Sequence, residues 1–128
     1  MDWTALMPLA GLLGLEVIDA RPERVEGRLT VRPELCTADG VLHGGAVMAA
    51  ADSLGAIGAV LNLPAGARTT TIESKTNFVG AAAIGDTLRA VAAAAHVGRR
   101  TSVWQTCLET TDGKLVALVT QTQLTLDA

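Results

Sequence analysis

Hydrophobic and polar residues along the chain form two kinds of pattern, which predict one buried helix among several strands. From Val25 to Val31, apolar residues or glycine alternate with polar residues, which is the period of two of a half-buried strand. Residues Ala46 to Leu61, by contrast, are small or apolar almost throughout, with Asp52 and Ser53 as the polar members. A helix that is apolar nearly all round must be buried nearly all round, so this segment is predicted to form the centre of the fold.

The rest of the chain predicts a short opening helix from Trp3 to Leu13 and a series of strands. The predicted strands are Leu15 to Arg21, Val25 to Val31, Arg68 to Phe78, Thr87 to Val97, Thr101 to Thr110 and Leu115 to Leu126. In the third strand we expect Thr70, Ile72, Ser74 and Thr76 to share one face. Asp112-Gly113 is a strong hairpin signal between the last two strands. Successive strands without intervening helices favour an antiparallel α+β layer, so we expect a twisted sheet that curls round the central helix.

Composition limits the classes of protein that fit. A chain of 128 residues allows one domain, 1–128, and 49% hydrophobic with 18% charged residues excludes a disordered chain. The apolar excess suggests that a second subunit covers part of the surface. A net charge of −3 provides no general attraction for nucleic acid or an acidic membrane.

The cysteines and the start of the chain indicate a cytoplasmic protein. Cys36 and Cys107 form neither a metal-type cluster nor a disulfide framework. The residues after Met1 lack the basic region of a signal peptide. The apolar stretch from Ala5 to Ile18 is too short and too interrupted to span a bilayer.

Asp52 is the candidate reacting group, because it is the only formal charge between Asp39 and Arg68. Burial of a carboxylate in an apolar helix is costly unless the group is compensated or used, and such a carboxylate suits proton transfer or nucleophilic attack. The alternative is an aspartate that lies on the one solvated stripe of the helix or is hydrogen-bonded to a nearby backbone group.

A second candidate site is Leu42-His43-Gly44-Gly45, just before the central helix. The glycines leave backbone N–H groups open at the positive end of the helix dipole, where an anion or a developing oxyanion is stabilised. His43 could cap the helix, orient a substrate or titrate; the alternative is a loop histidine beside a flexible glycine pair. Gly44 and Asp52 are about 12 Å apart on one helix. If they cooperate, they must therefore come from two subunits.

The turn His96-Val97-Gly98-Arg99-Arg100 carries two arginines that could clamp phosphates, or it is an ordinary solvated hairpin tip. Cys36 and His43 could form a nucleophilic pair, but no spacing rule supports one. No nucleotide-binding glycine loop or zinc spacing is present in the sequence.

Taken together, these residues resemble the hotdog-fold acyl-CoA thioesterases of the phenylacetate-pathway (PaaI-like) and 4-hydroxybenzoyl-CoA thioesterase type. The resemblance covers residues 5 to 126 and rests on Val41-Leu42-His43-Gly44-Gly45 followed nine positions after the histidine by Asp52. Glu73-Ser74-Lys75-Thr76-Asn77-Phe78 and Gly98-Arg99-Arg100-Thr101 support it.

The resemblance implies a curved antiparallel sheet wrapped round one central helix, and dimers with two shared sites that associate as tetramers. It implies hydrolysis of an acyl-CoA thioester without metal or redox cofactor. Asp52 would act as nucleophile or general base, Gly44 would donate its N–H to the thioester oxygen, and His43 would position the thioester or the leaving thiolate. The candidates for the coenzyme A moiety are Arg99, Arg100, Lys75 and Gly45, and those for the acyl pocket are Leu54, Ile57 and Phe78.

Two positions depart from the family pattern. Six residues before the histidine, where Asn or Gln is common, this chain has Thr37, and four residues after the carboxylate, where some members have Ser or Thr, it has Ala56. Asp at position 52, rather than Glu, favours the phenylacetate-pathway branch. These departures leave an acyl-CoA-binding module without chemistry as one alternative to a thioesterase. A second alternative is a hotdog-fold enoyl-CoA hydratase, since such enzymes also use an acid and a histidine, although at a different spacing.

Overall fold

The structure, a computed structural model, describes residues 1–127 and contains one sheet and one long helix. The helices are α1 (Trp3–Leu6), α2 (Pro8–Leu13) and α3 (Gly44–Leu61), with a 3-10 turn at Pro33–Leu35. The strands are β1 (Glu16–Arg21), β2 (Arg24–Thr30), β3 (Arg68–Phe78), β4 (Thr87–Val97), β5 (Thr101–Thr110) and β6 (Leu115–Leu126). The predicted strands and central helix are therefore confirmed to within two residues at their ends.

All six strands belong to one curved antiparallel sheet in the order β1-β2-β4-β5-β6-β3. The predicted hairpin at Asp112-Gly113 joins β5 to β6, and Gly113 has φ of 89°, a conformation that glycine adopts readily. β1 and β3 form the two edges of the sheet. This is the hotdog architecture that the resemblance implied.

Helix α3 lies against the sheet, and its small residues allow close packing. Ala50, Ala51 and Leu54 are completely buried. Gly55 and Gly58 lie directly under large side chains, since an added Cβ would come within 2.4 Å of Gln121 and of Trp104. By length and hydropathy α3 could cross a membrane, but here it packs against the sheet and forms the core of the fold with it.

The single opening helix from Trp3 to Leu13 was a wrong prediction, because the chain breaks at Met7 into α1 and α2. Pro8 is the first residue of α2 and has no N–H to continue the preceding helix. Met7 has φ of −123° and ψ of 87°, outside the helical region that proline disfavours for the residue before it.

The prediction that four residues of β3 share one face is wrong for Thr70 and Ile72, because a β-bulge at Ile72 shifts the register of the strand. Pairing with β6 runs Thr71 to Gln123 and then Glu73 to Thr122, so Ile72 is the additional residue. Thr71 therefore faces α3 on one side of the bulge, and Ser74 and Thr76 face inward on the other, while Ile72 is 55% exposed. The bulge brings the Thr71 hydroxyl towards the helix.

Candidate active site

In the first turn of α3, the Gly44 backbone N–H is free of any acceptor in the described part of the chain. His43 is the N-cap, and its Nδ1 accepts the Gly45 N–H at 2.7 Å. The His43 carbonyl accepts the N–H groups of Ala46 (2.9 Å) and Val47 (3.2 Å). Among residues 1–127, the Gly44 N–H has no acceptor. Gly44, and not Gly45, can therefore donate to a bound oxyanion at the positive end of the helix.

The hydrogen bond that caps the helix also determines the tautomer of the neutral His43 ring. Because Nδ1 accepts a hydrogen bond, the neutral ring carries its proton on Nε2, which is then a donor. His43 is exposed, so this donor is open to a ligand. The Cys36 thiol donates to the Arg32 carbonyl at 3.4 Å and not to His43, so the structure does not form a Cys–His nucleophilic pair.

Apolar grooves lie on both sides of this helix start. One, of about 420 Å³, is lined by Val41, Gly44, Val47, Phe78 and Val116, among others. Phe78 is 57% exposed, and its ring comes within 3.0 Å of an added Cβ at Gly44. The other groove, of about 550 Å³, is lined by residues that include Leu9, Leu12, Leu35, His43 and Ala49.

Two turns along α3, the half-buried Asp52 presents one anchored and one free carboxylate oxygen. Its Oδ1 accepts the Thr71 hydroxyl at 2.6 Å and the Gln121 Nε2 amide at 2.9 Å. Within the described part of the chain, no group hydrogen-bonds to Oδ2. A carboxylate held in this way can take a proton from water or attack an electrophile through its free oxygen.

Comparison with known proteins identifies the family. The family model for the thioesterase superfamily matches residues 39–117, which include the helix start and Asp52. The chain belongs to the thioesterase superfamily. It is a thioester hydrolase.

Similar proteins agree with this identification. A Mycobacterium tuberculosis protein named as an esterase, Rv1847, is 28% identical over 114 residues, or 87% of this thioesterase and 81% of that protein. The crystal structure of AziG from S. sahachiroi is 27% identical, with a TM-score of 0.92 over 96% of this chain and 99% of the other. A Q49A mutant of the thioesterase PA1618 from Pseudomonas aeruginosa is 26% identical, with a TM-score of 0.92 over 99% and 93%.

The structure of the thioesterase brings only some of the predicted site residues together. Gly44, Gly45, His43 and Phe78 cluster at the start of α3. Arg99 lies with Asn62 and Leu63 beyond the end of α3, and an 18-residue helix is about 27 Å long. Arg100 is exposed in the same turn. The two arginines are therefore at the opposite end of the protomer from Gly44.

Four further residues that the sequence analysis predicts for the site lie outside the cluster at the start of α3. Leu54 and Ile57 are core residues, 0% and 2% exposed, so in the protomer they are not accessible to an acyl group, whereas Phe78 lines the first groove. Lys75 is exposed on β3 and donates to the Asn77 side chain at 2.9 Å. Thr37 is exposed in the loop that leads to His43, where its N–H donates to the Val41 carbonyl at 2.8 Å.

The sequence analysis missed three polar residues around Asp52, namely Thr71, Gln121 and Gln123. Gln121 and Gln123 occupy the core face of β6 with Ala117 and Val119 and are 0% and 1% exposed. Long polar side chains on the core face of a strand are a signal that needs an explanation. Within residues 1–127, no three His, Cys, Asp or Glu side chains are arranged to hold a metal ion.

Proposed function

We propose that this thioesterase hydrolyses an aryl- or medium-chain acyl-CoA to the free acid and coenzyme A. The observation that carries the proposal is that the chain presents two reactive features: a half-buried Asp52 carboxylate whose Oδ2 has no hydrogen-bond partner within residues 1–127, and a helix N-terminus whose Gly44 N–H has no acceptor there. The apolar grooves on the two sides of this helix start, one lined by Gly44 and the other by His43 and Gly45, suit a hydrophobic acyl group. Coenzyme A would be bound through its phosphates by Arg99, Arg100 or Lys75.

Asp52 can act in either of two ways, and Oδ2 is the reacting atom in both. As a general base, it takes a proton from water while the water oxygen bonds to the thioester carbon. As a nucleophile, it forms a mixed anhydride that water then hydrolyses. In either case the carbonyl oxygen becomes negative and accepts the Gly44 N–H, and the C–S bond breaks to release the thiolate, which is protonated.

The proposed site combines Asp52 of one subunit with Gly44 of a second copy of the chain. On one helix these residues are eight positions, about 12 Å, apart, whereas a reacting carbonyl needs both groups at about 3 Å. The outward stripe of α3 consists of Gly45, Met48, Ala49, Asp52, Ala56 and Val60. Asp52 is its only charged member, so the stripe suits packing against another helix.

The free edge of the sheet supports the same pairing. β3 is 11 residues long and, within the described chain, pairs with β6 alone. A long unpaired edge is a ready surface for another strand, and β3 supplies both Thr71, which contacts Asp52, and Phe78, which lies beside Gly44. Pairing of two copies along this edge would place both halves of each site next to the interface. Such dimers would associate further as homotetramers of a cytoplasmic enzyme.

The first experiment is thiol release from a panel of aromatic and aliphatic acyl-CoAs by the wild type and Asp52→Asn. We expect Asp52→Asn to lose turnover by a factor of about 10²–10⁴ while it keeps its fold and its affinity for coenzyme A. Asp19→Asn is the matched control, because Asp19 is a surface carboxylate paired with Arg21 at 2.9 Å. Undiminished hydrolysis by Asp52→Asn would refute the role of this carboxylate. Binding without release by the wild type would indicate the acyl-CoA-binding alternative.

The role of Gly44 is tested with a pair of substitutions at the first position of α3. Gly44→Pro removes the N–H, and proline is well tolerated at this position of a helix; His43 already has the extended conformation that precedes proline. Gly44→Ala adds the same contact with Phe78 but keeps the N–H. We expect Gly44→Pro to lower kcat by about 10²–10³ and Gly44→Ala to keep most of it.

Mixing the two defective variants tests whether the site is shared. In a hybrid dimer of Asp52→Asn and Gly44→Pro, a shared arrangement places both lesions in one site and leaves the other intact. A co-expressed equimolar mixture should then recover about a quarter of wild-type activity, because half of the dimers are hybrids with one good site. If both residues act within one chain, every site carries a lesion and no activity returns.

A further inference from the structure

We propose that Gln121 and Gln123 of β6 are positioning residues, which hold Asp52 so that Oδ2 is always its reacting oxygen. This inference rests on the proposed function, in which Asp52 is the reacting carboxylate. Neither glutamine is a catalytic residue, because neither has a surface from which it can reach a substrate: they are 0% and 1% exposed.

The direct contact is made by Gln121. Its Nε2 donates to Asp52 Oδ1 at 2.9 Å from beneath the helix. The amide fits there because residue 55 is glycine: a Cβ at this position would lie 2.4 Å from Gln121 Oε1 and 2.8 Å from Nε2. Because Gly55 has no side chain, it leaves space on the helix surface next to Asp52, and the amide of Gln121 occupies this space.

The second contact is a directed chain of hydrogen bonds that ends on the same oxygen. Gln123 Nε2 donates to Thr71 Oγ1 at 2.6 Å, so the single hydroxyl hydrogen of Thr71 is left for Asp52 Oδ1, 2.6 Å away. Gln123 Oε1 in turn accepts the hydroxyl of Thr69 at 2.9 Å, and the same hydroxyl lies 3.2 Å from the Leu124 carbonyl. In each hydrogen bond of this series, the acceptor is closer to the carboxylate than the donor.

Packing alone does not account for these glutamines. The Oε1 atom of Gln121 is buried and has no partner within residues 1–127, which is unfavourable for a polar atom removed from water. A methionine has similar length and would fill the same space without a polar atom. Within residues 1–127 the Gln121 amide hydrogen-bonds to Asp52 alone, at 2.9 Å to Oδ1 and at 3.5 Å to its backbone carbonyl. The shorter bond to Oδ1 best explains the amide.

The consequence for the reaction is geometric. With two donors on Oδ1, the carboxylate cannot exchange its two oxygens without breaking both bonds. Oδ2 thus stays the free oxygen in every turnover, and the reacting geometry is formed before the substrate binds.

The test compares Gln121→Met and Gln123→Met with Thr106→Val. Thr106 is also fully buried, its hydroxyl has no partner in residues 1–127, and it lies on β5 outside the chain of hydrogen bonds. We expect each glutamine variant to lower kcat roughly tenfold to a hundredfold with little change in KM, and Gln121→Met to unfold at a temperature no lower than the wild type. Thr106→Val should keep wild-type kcat. A merely structural role would instead lower the unfolding temperature and leave kcat per folded molecule unchanged.

Two more measurements separate positioning from general damage. Thr71→Ser, which keeps the hydroxyl, should retain activity that Thr71→Val loses. In an Asp52→Asn background, Gln121→Met should cause no further loss, because the group it positions has already been changed. An equal further loss there would overturn the positioning role.

The outcomes also distinguish this inference from the proposed function. If Asp52→Asn turns over normally, the proposed role of Asp52 fails and the positioning role fails with it, whereas absence of turnover by the wild type would overturn the proposed function itself. If Asp52→Asn is inactive while Gln121→Met keeps wild-type kcat, only the positioning role is wrong.

Discussion

The contact between Gly58 and Trp104 gives a sharp test of how tightly α3 packs on the sheet. A Cβ at position 58 would lie 2.4 Å from Trp104 Cη2 and 2.5 Å from Cζ3. The ring is 0% exposed, and its Nε1–H donates to Ser102 Oγ at 2.9 Å, so burial and this hydrogen bond both hold it in place. Gly58→Ala must therefore shift the ring or the helix by about 1 Å to reach ordinary contact distance.

Two opposing effects determine the size of the change in stability. Alanine is favoured over glycine inside a helix by about 1 kcal/mol. Overpacking of a well-filled core costs about 1–3 kcal/mol, and the upper part of that range applies because three ring atoms lie closer than 3.0 Å. We expect Gly58→Ala to lower the free energy of unfolding by about 1–2 kcal/mol, which corresponds to a fall in Tm of roughly 4–10 °C.

The assay is thermal and urea unfolding of Gly58→Ala, Trp104→Phe and the double variant. Phenylalanine lacks the outer ring atoms that the new methyl group would meet, so in the Trp104→Phe background Gly58→Ala should become stabilising by up to about 1 kcal/mol. This reversal of sign is the decisive result. The reasoning is wrong if Gly58→Ala stabilises the wild type, or if it destabilises both backgrounds equally.

Three further predictions concern charge, capping and the acyl group. Arg89 donates to both Glu26 oxygens, at 3.1 and 3.2 Å, and holds the pKa of Glu26 below its ordinary value. The stability advantage of the wild type over Glu26→Gln should therefore be present at pH 7 and shrink as the pH falls below about 4. Urea unfolding at a series of pH values measures this difference. His43→Ala should lower the free energy of unfolding by about 0.5–2 kcal/mol through loss of the bond to the Gly45 N–H, and His43→Asn should restore most of it, unless the cap contributes nothing. Leu54→Ala should cost about 2–5 kcal/mol of stability without changing the order of preferred acyl-CoAs. Phe78→Ala should change that order with little loss of stability. The opposite pattern would place Leu54 at the acyl group.

The elements of the fold could be predicted from the sequence because each carries a strong local pattern. β3 to β6 begin and end where the alternation does, and α3 is the one long segment of small apolar residues. The structure extends the predicted helix by two residues, Gly44 and Gly45, because His43 caps α3; glycine is a weak helix former, so propensity does not predict these two residues as helical. The break at Met7 followed from Pro8, a local signal that was outweighed by the apolar pattern around it.

The surroundings of Asp52 could not be predicted in the same way, because they depend on how distant strands pair. The bulge at Ile72 changes which residues of β3 face the helix, and nothing in the alternation around it marks the additional residue. Gln121 is 69 residues from Asp52 in sequence. Single residues such as Gly44 and Asp52 could be found because their chemistry is unusual for their local setting, whereas Thr71 acquires its role only through the register of the sheet.

Gly55 and Gly58 occupy the same face of α3 one turn apart, and the structure predicts different consequences for the same substitution at each. At Gly58 the new methyl group meets a rigid ring, so the loss is one of stability. At Gly55 it meets the end of the Gln121 side chain, at 2.4 Å from Oε1, and the amide must leave Asp52 for the helix to keep its place. Gly55→Ala should therefore lower kcat roughly tenfold or more, and Gly55→Ala with Gln121→Met should be no less active than Gln121→Met alone. If Gly55→Ala lowers Tm as Gly58→Ala does but leaves kcat unchanged, the gap at residue 55 serves packing and not the carboxylate.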